Sequence, residues 1–128
     1  MILADTDVLI DYLRGVEPFA GQVRRYAEAG RLQTSAVNCF ELLSGADQNK
    51  RGEEVRQLIA TITVLPLDLN ASAHAARTRR ELSLRGVSIG MGDSLIAGIA
   101  LANGISLLTR NRRHFEKVEE LELVTVDQ

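Results

Sequence analysis

Short stretches that read as strands recur along this chain, and stretches with helical spacing separate them. Ile2 to Thr6 is an apolar run ending in polar residues, and Leu32 to Ser35, Ile62 to Leu67, Ile105 to Thr109 and Leu121 to Val126 read as further strands. Between them, Asp7 to Leu13, Pro18 to Ala29, Ala36 to Gly45, Glu53 to Ala60, Ala71 to Leu84, Asp93 to Ala102 and Arg112 to Val118 read as helices, with Phe40, Leu42 and Leu43 covering an apolar side of Ala36 to Gly45. The polar stretch from Asp47 to Gly52 reads as a break between two helices, and Asn103-Gly104 as a helix stop. Strands that are continuously apolar, not alternating, belong to a mainly parallel sheet covered by helices on both faces, so the fold class is α/β. Such sheets bind ligands beyond the carboxyl ends of their strands. Asp5, Thr34, Ser35 and Thr109 to Asn111 all fall at those ends, so polar residues collect on one rim.

The 128 residues carry no repeat or linker and read as one domain spanning 1–128, long enough to bury a single core without disulfides. Cys39 is the one cysteine, which excludes a disulfide scaffold and a multi-cysteine zinc site and suits a reducing cytoplasm. The opening Met1 to Asp11 has three aspartates and no basic leader, unlike a secretory signal. Leu95 to Ala102, the longest uncharged apolar stretch, is too short to cross a bilayer, so no membrane partner is expected.

A net charge of −2 argues against coating nucleic acid by bulk charge. The charge is unevenly spread. From Arg77 to Arg113 seven arginines face only Glu81 and Asp93, whereas His114 to Gln128 holds one lysine and five acids. Arginine outnumbers lysine thirteen to two, and guanidinium groups suit bidentate phosphate contact. Solvated helix faces explain the same pattern unless a reaction site lies nearby.

Three carboxylates stand where neutral residues would serve the fold better. Asp5 directly follows the apolar run Ile2-Leu3-Ala4, Glu41 lies between Phe40 and Leu42, and Asp93 opens the Ala-rich helix on its inward side. Burying unpaired carboxylates costs several kcal/mol each, and no lysine lies between Lys50 and Lys117. Singly, each has a structural explanation: Asp93 as a first-turn acid favoured by the helix dipole, Glu41 as a solvated helix residue, Asp5 as a cap. Together at one rim they suggest a site for a hard cation, because carboxylate oxygens suit Mg²⁺ or Mn²⁺.

Four blocks then occur in order: Ile2-Leu3-Ala4-Asp5-Thr6-Asp7-Val8-Leu9-Ile10-Asp11, Ser35 to Gly45, Gly92-Asp93-Ser94-Leu95-Ile96-Ala97, and Leu108-Thr109-Arg110-Asn111-Arg112-Arg113-His114-Phe115. The series resembles the PIN-domain nucleases, specifically the VapC toxins of toxin–antitoxin pairs, over essentially the whole chain. The resemblance implies Asp5, Glu41 and Asp93 as metal-binding catalytic carboxylates, Thr6 and Thr109 as polar support, and Asn111 near a fourth position. Family members commonly have Asn at Asp7, which here adds charge or caps the first helix. They also commonly have a further acid around Asn111 to His114. This chain offers Asn111 and His114 there instead, which bears on a second metal ion.

The implied chemistry is hydrolysis of an RNA phosphodiester assisted by Mg²⁺ or Mn²⁺, with neither histidine required as base. His74 reads as a helix-face residue. Arg110, Arg112 and Arg113 are candidates for holding the RNA backbone. With few aromatic residues and no tryptophan, recognition through RNA shape is expected over base stacking. The resemblance also implies a VapB-type antitoxin partner, a homodimer, a toxin–antitoxin hetero-oligomer, DNA contact only through the antitoxin, and a cytoplasmic location. The apolar content of the first two helices, Val8, Leu9, Tyr12, Leu13, Phe19, Val23 and Tyr26, offers either a partner groove or additional core. Two rivals stand beside this reading. Asp5-Thr6-Asp7-Val8 and Gly92-Asp93-Ser94 also resemble motifs of haloacid-dehalogenase-type phosphatases, although Ala97 stands where a second acid is expected and the intervening lysine is absent. The other rival is a PIN-like binding module with a degenerate site.

Overall fold

Ile2, Leu3 and Ala4 form strand β1 at the centre of a four-stranded, wholly parallel sheet. We describe residues 1–46 and 50–126 from a computed structural model. In chain order the further elements are α1 (Thr6–Arg14), α2 (Phe19–Glu28), β2 (Leu32–Ser35), α3 (Ala36–Gly45), α4 (Lys50–Thr61), β3 (Thr63–Leu65), α5 (Leu69–Leu84), α6 (Met91–Asn103), β4 (Ser106–Leu108) and α7 (Arg112–Phe115). The strand order is β3-β2-β1-β4. Because β2 and β3 extend from one edge of β1 and β4 from the other, the connections reverse between β1 and β4, and a crevice opens beyond their carboxyl ends.

The core is split by the sheet. Leu3 and Leu107 face α5, α6 and α7, where they pack with Leu82, Ile96, Ile99 and Phe115. Ile2, Ala4 and Leu108 point to the other face, against Val8, Leu9, Phe19 and Val23 of the first two helices and Val55 and Leu58 of α4. This alternation follows from the two-residue period of a strand, and both faces are covered, as the continuous apolar runs imply. Helices α5 and α6 approach closely at Gly98. A Cβ placed there would lie 2.6 Å from the Ala71 carbonyl oxygen, so only glycine permits this contact.

Several boundaries differ from the sequence reading. The run at Ile2 to Thr6 stops pairing after Ala4, because Asp5 turns out of the sheet to cap α1. Of the proposed break, Lys50 to Gly52 are helical, and Asp47 to Asn49 lie outside the described residues. Leu121 to Val126 does not form a regular fifth strand: it contacts the sheet through one parallel bridge, Leu107 to Leu123, flanked by hydrogen bonds from Leu107 N–H to Glu122 and from Val124 N–H to Leu107. Arg112 to Val118 shortens to the single turn α7. Phe40 and Leu43, expected to cover an apolar side of α3, are exposed, and Leu42 alone of the three is buried. Val8, Leu9, Phe19 and Val23 are core residues, and Tyr12, Leu13 and Tyr26 pack partly buried against them. The apolar content of α1 and α2 is therefore largely spent inside. No described helix is long and apolar enough to cross a membrane.

Candidate active site

The chain leaves β1 at Ala4, and Asp5 takes an extended conformation that lets its side chain cap α1 by accepting the Thr6 N–H at 2.8 Å. Parallel neighbours β2 and β4 bring their own ends to the same level. From β2, Ser35 caps α3 through the Asn38 N–H and donates its hydroxyl to Asn38 Oδ1 at 2.6 Å, which fixes the orientation of that amide. The Asn38 Nδ2 group then donates to Asp5 Oδ1 and to Thr6 Oγ1, both at 2.9 Å. From the end of β4, the Thr109 hydroxyl donates to Asp5 Oδ2 at 2.7 Å. Thr6 passes the network on, donating to Glu41 Oε1 at 2.6 Å. Asp5 and Glu41 are thus linked through the Asn38 amide and the Thr6 hydroxyl. Thr34 supports the base of this cluster by donating to the Ala4 carbonyl.

The other acids border the same crevice. Asp93 lies in the first turn of α6, and this turn borders Glu41: a Cβ built on Gly92 would stand 3.5 Å from Glu41 Oε2, an ordinary contact. His114 of α7 sets its Nδ1 2.9 Å from Asp93 Oδ2, donating when that nitrogen carries the proton. Asp7, in the first turn of α1, accepts the backbone N–H groups of Arg110 and Asn111. The structure therefore brings Asp5, Thr6, Asp7, Glu41 and Thr109 together directly, and joins Asp93 to His114 on the facing helices. Asn111 contributes its backbone N–H to Asp7 and to Thr109 Oγ1 while its residue is exposed.

Electrostatically the cluster is crowded. Burial raises the Asp5 pKa to about 6, with the neighbouring charges of Asp7 and Glu41 adding to the rise and the Thr109 and Thr6 hydrogen bonds opposing it. Burial likewise raises Asp7, against the hydrogen bonds and charge at Arg110. The three groups that donate to Asp5 are all neutral. Among the described residues no three of His, Cys, Asp and Glu converge on a single point that could hold an ion. The donor chemistry nonetheless fits a hard divalent cation. Carboxylate and hydroxyl oxygens surround the crevice, and the groups that hydrogen-bond the buried Asp5 carry no positive charge.

Two of the arginines proposed for RNA contact have internal partners. Arg110 Nη1 lies 2.9 Å from both carboxylate oxygens of Asp11, which is buried on α1, and Arg112 Nη1 donates to the Val124 carbonyl. Arg113 stays exposed. His74 behaves as a helix-face residue, with Arg77 Nη2 3.1 Å from its Nδ1. Asp11 and Asn38 escaped the sequence reading. A signal for Asp11 existed, since it lies four residues after Asp7 on the same side of α1, where an arginine loop could reach both. Asn38 offered only a polar residue inside an apolar helix, and sequence does not say which way it points.

The Asp11–Arg110 pair pins the loop whose N–H groups hold Asp7. Truncating Arg110 leaves a buried carboxylate without its partner. Arg110→Ala is therefore expected to lower stability by about 2 kcal/mol, the low end for such a loss because the arginine is half exposed. Urea denaturation measures this, and unchanged stability would mean the pair is incidental.

With this geometry in place, comparison with known proteins places the chain. A family profile for the PIN domain matches residues 2–121. The chain belongs to the PIN-domain family. Within that family it is 30% identical to the tRNA(fMet)-specific endonuclease VapC of Shigella flexneri, over 91% of this chain and 90% of that protein. It is 36% identical to Ribonuclease VapC10 of Mycobacterium tuberculosis, over 94% of this chain and 90% of the relative. Among solved structures, the DNA-bound VapBC of Salmonella typhimurium superposes with a TM-score of 0.82 at 25% identity, covering 96% of each chain. The PIN fold accounts for the parallel sheet order and for the crevice at the reversal between β1 and β4.

Proposed function

We propose that this PIN domain, read as one unit over residues 1–128, is a metal-dependent endoribonuclease and the toxin of a VapBC-type pair. The observation that carries the reading is the buried Asp5, which accepts the Thr6 N–H while the Thr6 hydroxyl donates to Glu41, with Glu41 Oε2 lying beside Gly92 on the α6 turn that bears Asp93. The names of the relatives, an endonuclease and a ribonuclease aligned over nine-tenths of the chain, support the substrate class.

Asp5, Glu41 and Asp93 would hold Mg²⁺ or Mn²⁺. When bound, such an ion supplies charge that lowers the pKa of an attacking water and offsets the charge gathering on the phosphate. The remaining work falls to the chain. Thr109, Asn38 and the Thr6 N–H hold both Asp5 oxygens in a fixed orientation, so the carboxylate is ordered before substrate arrives. Thr6 fixes Glu41 in the same way. Asp7 holds the start of the β4–α7 connection, which sets where Asn111, Arg113 and His114 stand relative to the crevice. No proton transfer is assigned to His114, whose Nδ1 serves Asp93.

The fourth position gives this chain its own character. Asn111 offers a neutral carbonyl and His114 an imidazole where the family resemblance implies a further acid, so Asp5, Glu41 and Asp93 would hold one ion in RNA-free protein and a second would need the substrate phosphate as a ligand. An imidazole also favours Mn²⁺ over Mg²⁺. His114→Asp or Asn111→Asp is expected to add a second site in calorimetric titration with Mg²⁺. Two equally tight Mg²⁺ sites in the wild type, or unchanged binding in both variants, would refute the single-ion assignment.

A VapB-type antitoxin is the proposed partner, in a hetero-oligomer built on a toxin homodimer that meets DNA only through the antitoxin. The Salmonella typhimurium VapBC structure, determined with DNA, supports that partnership. Exposed Phe40 and Leu43 on α3, beside Glu41, offer an apolar surface for a partner segment at the crevice edge. The decisive experiment is incubation of purified protein with RNA and Mn²⁺ or Mg²⁺, with and without chelator. Cleavage that stops on chelation is expected. Release of inorganic phosphate from small monoesters in its place would support the phosphatase. Absence of cleavage with every divalent ion, together with partner binding that depends on Asp5, would support a binding module.

A further inference from the structure

The seven arginines between Arg77 and Arg113 sort into two groups once the chain is folded. Arg77 pairs with Glu120, Arg85 with Glu119 and the Lys117 carbonyl, Arg110 with Asp11, and Arg112 with Val124. The acidic end of the chain thus neutralises one side of α5. Arg79 and Arg80, on another side of the same helix, are exposed and make no ion pair among the described residues.

Those two guanidinium groups border a groove of about 470 Å³ between α5 and α6. Its lining combines Arg79, Arg80 and Ser83 with Met91, Ser94 and Leu95, and contains no carboxylate. Arg79 and Ser83 also line the adjoining hollow toward Ile89, so the basic surface continues along the α5–α6 connection. At its other side the groove meets the first turn of α6. Met91 and Ser94 of its lining belong to the same first turn as Asp93, so the groove and the acidic crevice share that turn of α6. In a protein of net charge −2, a carboxylate-free groove with two arginines that make no ion pair among the described residues is complementary to a polyanionic strand. Exposed Met91 gives such a strand an apolar surface for a ribose or base edge.

Resting on the ribonuclease reading above, we infer that the α5–α6 groove is the track along which single-stranded RNA approaches the scissile position, with Arg79 and Arg80 holding backbone phosphates. The contacts made by Arg110 and Arg112 within the fold leave these positions, with Arg113, to meet substrate.

The test uses the full chain with Arg79 and Arg80 both changed to alanine, alongside Arg79→Lys/Arg80→Lys and, as control, Arg24→Glu on exposed α2 across the sheet. Binding of a fluorescein-labelled single-stranded RNA is followed by anisotropy in EDTA, where cleavage cannot interfere. The alanine pair is expected to weaken binding at least about tenfold at low salt and to reduce the slope of log affinity against log salt by about 1.4, the value for two phosphate contacts on a single strand. In cleavage assays KM should rise correspondingly with kcat within about twofold, since uniform binding is what is removed. The lysine pair should recover most of the affinity, and Arg24→Glu should match wild type. If wild type cleaves RNA and the alanine pair leaves KM and the salt slope unchanged, the track is wrong while the ribonuclease reading stands. Dissociation of a homodimer on sedimentation, with RNA affinity intact, would also overturn it, marking the groove as an interface between copies. Failure of wild type to cleave RNA would instead strike the ribonuclease reading.

Discussion

Asp93→Asn, Glu41→Gln and Asp5→Asn, each made alone, are expected to reduce RNA cleavage by roughly a thousandfold or more, the scale of losing a preorganised charge at a reacting centre. The variants should nonetheless fold. Asp5 shows why: its oxygens accept from the Thr6 N–H, the Asn38 amide and the Thr109 hydroxyl. An asparagine oxygen accepts the first two, and its amide donates to Thr109, whose hydroxyl rotates to accept. Removing a carboxylate also relieves repulsion, because Asp7 and Glu41 both raise Asp5. Cleavage rates measured beside far-ultraviolet circular dichroism separate lost chemistry from lost structure. An Asp93→Asn protein that cuts RNA like wild type would show that the crevice is not the reaction site.

The second large effect is on stability in the absence of metal. The Asp5 pKa rises to about 6 in the folded protein from an ordinary 3.8. Between those values the folded state binds more protons than the unfolded one, so metal-free stability falls as pH climbs through that window, and the loss is complete above it. A shift of this size corresponds to on the order of 2–3 kcal/mol. The charged and titratable groups bearing on Asp5 are Asp7 and Glu41, and both act in the same direction. In chelator, Asp5→Asn should therefore unfold at higher urea than wild type at pH 7.5, with the difference vanishing near pH 4. Comparing variant with wild type at each pH cancels the titration of groups common to both. A constant difference from pH 4 to 7.5 would refute the raised pKa. Saturating Mn²⁺ should close the gap at pH 7.5, since a cation bound only by the folded wild type stabilises it.

The parallel α/β architecture was legible because it is written in local periods: Ile2-Leu3-Ala4 is an uninterrupted apolar run and Leu107-Leu108 is fully buried in β4, as strands covered on both faces require. The rim was legible for the same reason, since strand ends are visible wherever an apolar run meets polar residues. Leu121 to Val126 misled because apolar composition permits a strand without supplying the neighbour that hydrogen-bonds it, and here the sheet offers one bridge. Phe40 and Leu43 misled likewise: apolar character does not determine that another element will cover a helix face.

Asp5 was conspicuous in sequence because a carboxylate directly after an apolar run is costly to bury, and it is buried, whereas Glu41 and Asp93, singled out on the same ground, are only partly buried. The partners of such groups were not conspicuous. Asn38 orients Asp5, Asp11 takes Arg110, and Glu119 and Glu120 take Arg85 and Arg77. Each of these contacts joins residues more than thirty positions apart, and a hydrogen bond or ion pair depends on distances of a few ångströms that no local period encodes. The sequence by itself thus determined the helices, the four parallel strands and the polar residues at their rim, and overcounted the strands by one. The tertiary structure decided which arginines are neutralised and which face solvent, because charge pairing is set by packing across the chain.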